Sequence, residues 1–212
     1  MNQTRAIADI EKTRVLPIVK LDRAADALPL AEALIRGGLP AAEVTFRTDA
    51  AEESIRAIRK EFPDMLVGAG TVVNTEQARR ALDAGAAFLV SPGTSEKVLQ
   101  FAVDNDVPVF PGVCTPSEIM TALEYGLEVV KFFPASQYGG LDTIKALAGP
   151  FPSLRFMPTG GINPDKMLDY LSFKKIIAIG GSWMVKDTLI VGGEFDKIAQ
   201  LTAETVAKAK EA

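Results

Sequence analysis

One run of residues stands out for what it could do. Glu128-Val129-Val130-Lys131-Phe132-Phe133-Pro134 sets an amine among aliphatic and aromatic neighbours. Burial disfavours the charged form of a lysine, and a neutral amine is a nucleophile toward carbonyl carbon. The plain alternative is a side chain that snorkels to the rim of the fold, and the apolar residues on both sides argue against it. Lys20, in Leu16-Pro17-Ile18-Val19-Lys20-Leu21-Asp22, is the rival, but Asp22 and Arg23 make solvation easy there. Lys174 and Lys175 precede a strand and are expected to face water at the far end of the fold. Lys131 is the preferred amine.

A second polar set interrupts an apolar run at Ala42-Glu43-Val44-Thr45-Phe46-Arg47-Thr48. In extended chain, alternation puts Glu43, Thr45 and Arg47 on one face and Val44 and Phe46 on the other. The apolar pair is expected to pack on helices, which turns the polar trio toward the interior or its mouth. Arg47 then lies roughly 13 Å beyond Glu43, at about 3.3 Å per residue. A buried structural Glu–Arg pair is the competing reading. The position of Arg47 at the C-terminal end of a strand, where barrel enzymes keep their chemistry, favours function.

Absences narrow the chemistry further. The 212 residues include no histidine, so a His-ligated zinc and a His-based triad are both excluded. Acid–base work must fall to Asp, Glu, Lys or Tyr. The single cysteine, Cys114, excludes an intrachain disulfide and fits a reducing cytoplasm; it is read as a small filler before a helix cap. A net charge of −4 without a basic run gives a nucleic-acid groove no support. The first thirteen residues lack the apolar stretch of a signal peptide, and nowhere do 18 apolar residues run together. No membrane association is expected, and the expected location is the cytoplasm.

The elements that must position these groups repeat. Strands are expected near Val15–Val19, Ala42–Thr45, Leu66–Gly70, Ala87–Val90, Val107–Phe110, Glu128–Phe132, Leu154–Pro158 and Ile176–Ile179. Their starts are separated by roughly 20 to 27 residues, one strand-plus-helix unit each. Eight units in series predict an α/β fold, a single (β/α)8 TIM barrel spanning residues 1–212. A doubly wound open sheet uses the same units and is the alternative. Caps mark several helices: Asp22 before Ala25–Ile35, Asn74 before Thr75–Ala84, Thr115-Pro116 before Ile119, and Asn163-Pro164 before Met167. An extra N-terminal helix before Thr13 and a C-terminal helix over Glu194–Lys210 complete the plan.

Small and rigid residues recur at strand ends: Gly68-Ala69-Gly70-Thr71, Ser91-Pro92-Gly93, Phe110-Pro111-Gly112, Pro158-Thr159-Gly160-Gly161 and Gly180-Gly181-Ser182. Singly, each reads as turn chemistry. Gly68-Ala69-Gly70 mimics the start of a dinucleotide fingerprint, but Val73 stands where the third glycine belongs. The last two turns follow the seventh and eighth strands, where barrels bind phosphate through backbone N–H groups. Trp183, Phe132 and Phe133 are expected to pack, with a pocket wall among the last two.

Taken in order, Glu43-Val44-Thr45-Phe46-Arg47-Thr48, Gly68-Ala69-Gly70-Thr71, Ser91-Pro92-Gly93, Lys131-Phe132-Phe133-Pro134, Pro158-Thr159-Gly160-Gly161 and Gly180-Gly181-Ser182-Trp183 resemble the 2-keto-3-deoxy-6-phosphogluconate (KDPG) and 4-hydroxy-2-oxoglutarate (KHG) aldolases. The resemblance runs from about the first strand to the last of these motifs. It implies that Lys131 forms a Schiff base and that Glu43 is its general acid/base. It implies further that Arg47 and Thr71 hold the substrate carboxylate, with Pro92, Phe133 and Thr159 also contacting substrate. Gly160, Gly161, Gly181 and Ser182 match the phosphate site. No metal or cofactor is implied, and a homotrimer acting on a keto-acid phosphate is. Phe46 departs from the aliphatic residue usual there, while Arg47-Thr48 separates the chain from galactonate-type relatives. A phosphosugar isomerase or epimerase, and a non-catalytic phosphometabolite-binding module, are the competing functions that the glycine turns alone would allow.

Overall fold

The computed structural model describes residues 3–212; Met1 and Asn2, included in the expected 1–212 unit, lie outside the described residues. Strands and helices alternate. Among the described residues, nine short strands run as β1 (Val15–Val19), β2 (Ala41–Thr45), β3 (Leu66–Gly70), β4 (Leu89–Val90), β5 (Val109–Phe110), β6 (Gly112–Val113), β7 (Val129–Phe132), β8 (Arg155–Pro158) and β9 (Ile179–Gly181). All ladders are parallel. They form a curled six-stranded sheet in the order β5-β4-β3-β2-β1-β9 and a three-stranded sheet β6-β7-β8. Isolated parallel bridges Phe156–Ile176 and Thr159–Gly180 join β8 to the β9 segment. Pro111 separates β5 from β6, because a residue without an N–H cannot donate to the ladder.

Period-two alternation sorts the strand residues into two cores. Ala42, Val44, Val67, Ala69, Val130 and Phe132 pack between sheet and helices. Leu16, Ala41, Leu66, Phe88, Val90, Phe110, Val129 and Met157 fill the concave side. Helix α1 (Gln3–Thr13) adds Ile7 and Ile10 to this inner cluster, two positions on one helical face three residues apart. Gly68 leaves room for Phe88, whose ring would lie 2.2 Å from an added Cβ, and Phe88 meets Phe110 edge to face at 5.8 Å.

Several expectations change at element ends. The strands expected to begin at Ala87, Val107, Glu128 and Leu154 start one or two residues later, and the last runs Ile179–Gly181 rather than Ile176–Ile179. Asp22 caps nothing. It accepts from Lys20 Nζ at 2.8 Å, and a 3-10 turn at Ala24–Asp26, pinned by the Arg23–Asp26 ion pair, precedes helix α2 (Ala27–Arg36). Asn163 accepts from the Asp165 and Lys166 N–H groups, but the helix Met167–Leu171 begins only after that turn. Asn74 and Thr115 cap as expected: Asn74 Oδ1 accepts from Gln77 N–H at 2.8 Å, and Thr115 forms a capping box with Glu118. Lys175 does not face open water; its Nζ donates to the carbonyls of Pro152 and Leu154, while Lys174 is exposed.

Candidate active site

Strand β7 carries Lys131 inward because Val130 and Phe132 take the outer face. Its side chain is 5% exposed, and Nζ lies 3.6 Å from Glu43 Oε1 and 4.8 Å from the centroid of the Phe133 ring. Glu43 points inward from β2 and is fully buried. At 3.6 Å the pair exceeds hydrogen-bond reach, and neither carboxylate oxygen has a hydrogen-bond partner among the described residues. Thr159 Oγ1, at the end of β8, is a third buried polar atom without one. Buried polar groups are normally paired, so three such atoms on one interior demand a reason. Two glycines make the arrangement possible. A Cβ on Gly70 would sit 2.1 Å from Glu43 Oε1, and one on Gly180 would sit 2.3 Å from Thr159 Oγ1.

Lys20 is a different kind of amine. Asp22 at 2.8 Å and Asp187 at 3.6 Å flank it, and the hydrogen bond to Asp22 holds the ammonium above its ordinary value. A lysine so held is a poor nucleophile. The preference for Lys131 therefore has a structural reason on both sides.

Arg47 is not where an extended strand would put it. Strand β2 stops at Thr45, the Arg47 N–H turns back to the Thr45 carbonyl at 2.8 Å, and the expected run of roughly 13 Å along one face does not form. The guanidinium is exposed, with Nε donating to Thr45 Oγ1 at 3.3 Å. Thr71 follows β3 with φ of 57°, a left-handed conformation that costs a β-branched residue on the order of 1–3 kcal/mol. Pro92 is half-buried after Ser91, whose hydroxyl donates to the Gly93 carbonyl at 2.7 Å.

The two glycine turns are stitched side by side. Ala135 N–H donates to the Thr159 carbonyl and Ser136 N–H to that of Gly160, tying the segment after β7 to the one after β8. The Thr159–Gly180 bridge brings the last turn alongside. Gly160 and Gly161 take positive φ of 103° and 71°, and a Cβ at 161 would meet Ser136 Oγ at 2.2 Å. Gly181 is buried against Trp183, while Ser182 is exposed. Lys131, Glu43 and Phe133 thus form one tight group. Thr159, Gly160, Gly161, Gly181 and Ser182 form a neighbouring one, and Arg47 stands at the rim, tied to Thr45.

Gly70 and Thr45 were not singled out as site residues by the sequence. Gly68 and Gly70 at period two were the available signal, since paired glycines on one strand face make room for large side chains from the next strands. A cavity of about 570 Å3 lies elsewhere, between α1 and the starts of β2 and β3, lined by Arg5, Asp9, Lys12, Pro40, Arg59 and Leu66 among others. Its only lysine is three-quarters exposed and paired with Asp9, in contrast to the 5% exposed Lys131.

The model of the family described as "Aldolase: KDPG and KHG aldolase" matches residues 7–201. A 2-dehydro-3-deoxy-phosphogluconate aldolase of Treponema pallidum is 47% identical over 197 residues, covering 93% of this chain and 94% of its own. A KHG/KDPG aldolase of Escherichia coli is 45% identical, covering 92% of each. A KDPG aldolase crystal structure from Legionella pneumophila, with pyruvate captured as a covalent carbinolamine intermediate, superposes with a TM-score of 0.91 at 38% identity, covering 94% of this chain and 97% of that one. With likeness of this extent in both sequence and shape, the chain belongs to the KDPG and KHG aldolase family.

Proposed function

We propose that this protein is a class I aldolase, a carbon–carbon lyase that cleaves 2-keto-3-deoxy-6-phosphogluconate to pyruvate and glyceraldehyde 3-phosphate. By the same chemistry it cleaves 4-hydroxy-2-oxoglutarate to pyruvate and glyoxylate. The observation that carries the reading is the sealed Lys131 amine 3.6 Å from a buried carboxylate that accepts no hydrogen bond from the described residues. The covalent pyruvate adduct of the Legionella relative supports it.

The chemistry runs as follows. Neutral Lys131 Nζ attacks the C2 ketone, and loss of water leaves a protonated imine. The imine draws the electrons of the C3–C4 bond as Glu43, through a water, removes the C4 hydroxyl proton. The bond breaks, the aldehyde leaves, and the enamine is protonated at C3. Hydrolysis then frees pyruvate and returns the amine. Splitting one difficult cleavage into these steps is what covalent catalysis supplies. In this reading Arg47 and Thr71 hold the carboxylate, with Pro92, Phe133 and Thr159 around the keto acid. Gly160, Gly161, Gly181 and Ser182 receive the phosphate through N–H and hydroxyl groups at glycines that admit close approach. Arginine suits the carboxylate because its donors engage both oxygens at once.

We place the same residues on one closed eight-stranded barrel forming a single domain. The bridges joining β8 to the β9 segment support closure, as does reading β5 and β6 as one strand interrupted at Pro111. A cytoplasmic location accords with a single thiol. A homotrimer rests on the family resemblance, and light scattering is expected to give three times the chain mass; a monomer at assay concentration would remove it. For the chemistry, borohydride with pyruvate is expected to leave a reduced adduct on the peptide containing Lys131, and Lys131→Met to abolish both adduct and cleavage. An adduct on Lys20, or cleavage without any adduct, would overturn the reading.

A further inference from the structure

We propose that the Thr45 hydroxyl is a positioning residue for the substrate carboxylate, acting by fixing the guanidinium of Arg47. This rests on the proposed role of Arg47. Thr45 is 2% exposed at the last position of β2, two residues beyond Glu43 on the same face. Its hydroxyl has one proton and can accept as well. The proton goes to the Val19 carbonyl on β1 at 3.0 Å, which fixes the oxygen's orientation. The oxygen then accepts from Arg47 Nε at 3.3 Å. Val has nearly the same shape, so packing at this site does not call for a hydroxyl.

The consequence lies in what Arg47 has left. Its backbone N–H is committed to the Thr45 carbonyl and its Nε to the Thr45 hydroxyl, while Nη1 and Nη2 have no hydrogen-bond or ion-pair partner among the described residues. A guanidinium anchored at Nε offers those two groups together to the two oxygens of a carboxylate. An unanchored arginine on an exposed turn would sample many rotamers, and binding would have to order it. The hydroxyl therefore pre-orders a rim residue from inside the sheet.

The test measures borohydride trapping on Lys131 against ketone concentration. Thr45→Val is expected to raise the pyruvate concentration for half-maximal trapping about tenfold, the loss of one charge-assisted hydrogen bond. Trapping at saturating pyruvate, and half-saturation by hydroxyacetone, which has no carboxylate, are expected to stay at wild-type values. Thr45→Ser is expected to restore pyruvate affinity. In an Arg47→Ala background, Thr45→Val is expected to add nothing further. Should Thr45→Val not fold, Thr45→Ala reads the same pyruvate-to-hydroxyacetone ratio. An unchanged ratio with normal wild-type trapping overturns the proposal, as does an equal loss for both ketones, which marks a purely structural hydroxyl. Absence of a wild-type adduct on Lys131, or an Arg47→Ala variant with normal pyruvate affinity, overturns the underlying reading instead and takes this proposal with it.

Discussion

Glu43 keeps a carboxylate in the interior with the Lys131 amine 3.6 Å away as its ion-pair partner, and holding a charged pair out of water is costly. Proteins keep such groups where reaction needs them. Glu43→Gln is therefore expected to retain pyruvate trapping on Lys131 while slowing cleavage by about 10²–10⁴-fold, the usual weight of a general base. Its melting temperature is expected to be no lower than that of the wild type; a large fall would identify the Lys131–Glu43 contact as a structural ion pair. At this scale the sequence was informative because a charged residue inside an apolar run is visible from the chain alone. Lys131 and Glu43 could be picked out from their neighbours. The part of Gly70 could not, since it depends on which way Glu43 leans from the adjoining strand.

Caps decide the elements, and the clearest is at the helix Pro116–Glu124. Glu118 Oε2 accepts from the Cys114 N–H, the Thr115 N–H and the Thr115 hydroxyl at 2.8–2.9 Å. Burial pushes the carboxyl up, but these donors outweigh it and hold it below its ordinary value. Burial, then the same carboxylate, pushes the Cys114 thiol up, which makes it a sluggish nucleophile. A carboxyl depressed in the fold stabilises above its unfolded value, and that stabilisation is lost as pH falls through the folded one. Glu118→Gln is expected to cost about 0.5–2 kcal/mol near neutral pH. The gap to wild type in urea unfolding is expected to shrink as the medium is acidified into the carboxylate range. A gap independent of pH would mean the charge is not what the cap uses. Asn74 and Thr115 were legible because a cap is local, needing residues only three positions apart. Asp22 misled because Lys20 claims its side chain, a competition that composition does not reveal. The strand ends were drawn too long where ladder partners, absent from a linear reading, stop short.

The molecule as a whole was legible through repetition: eight evenly spaced apolar runs forecast parallel strands alternating with helices. The break at Pro111, which divides the ladders into two sheets, was read only as a turn, because a proline in a strand and a proline in a turn look alike without the neighbouring chain. The inner cluster also depends on assembly. Ile10 is fully buried there, and Ile10→Ala is expected to cost about 2–5 kcal/mol in urea unfolding. Trapping on Lys131 is expected to survive in the folded fraction; a loss below about 1 kcal/mol would show that α1 only rests on the surface.

The plug made by Ile7, Ile10, Phe88 and Phe110 has a kinetic corollary. With hydrocarbon filling the α1 end of the concave side, the proposed reaction takes substrate and both products through the opposite end. In that proposal a keto acid bonded to Lys131 is the inner of two guests, and an aldehyde whose phosphate rests on the outer turns is the nearer to the exit. Departure is then expected to be sequential, the phosphorylated fragment first because pyruvate stays bonded to Lys131, and external pyruvate is expected to compete with the next substrate.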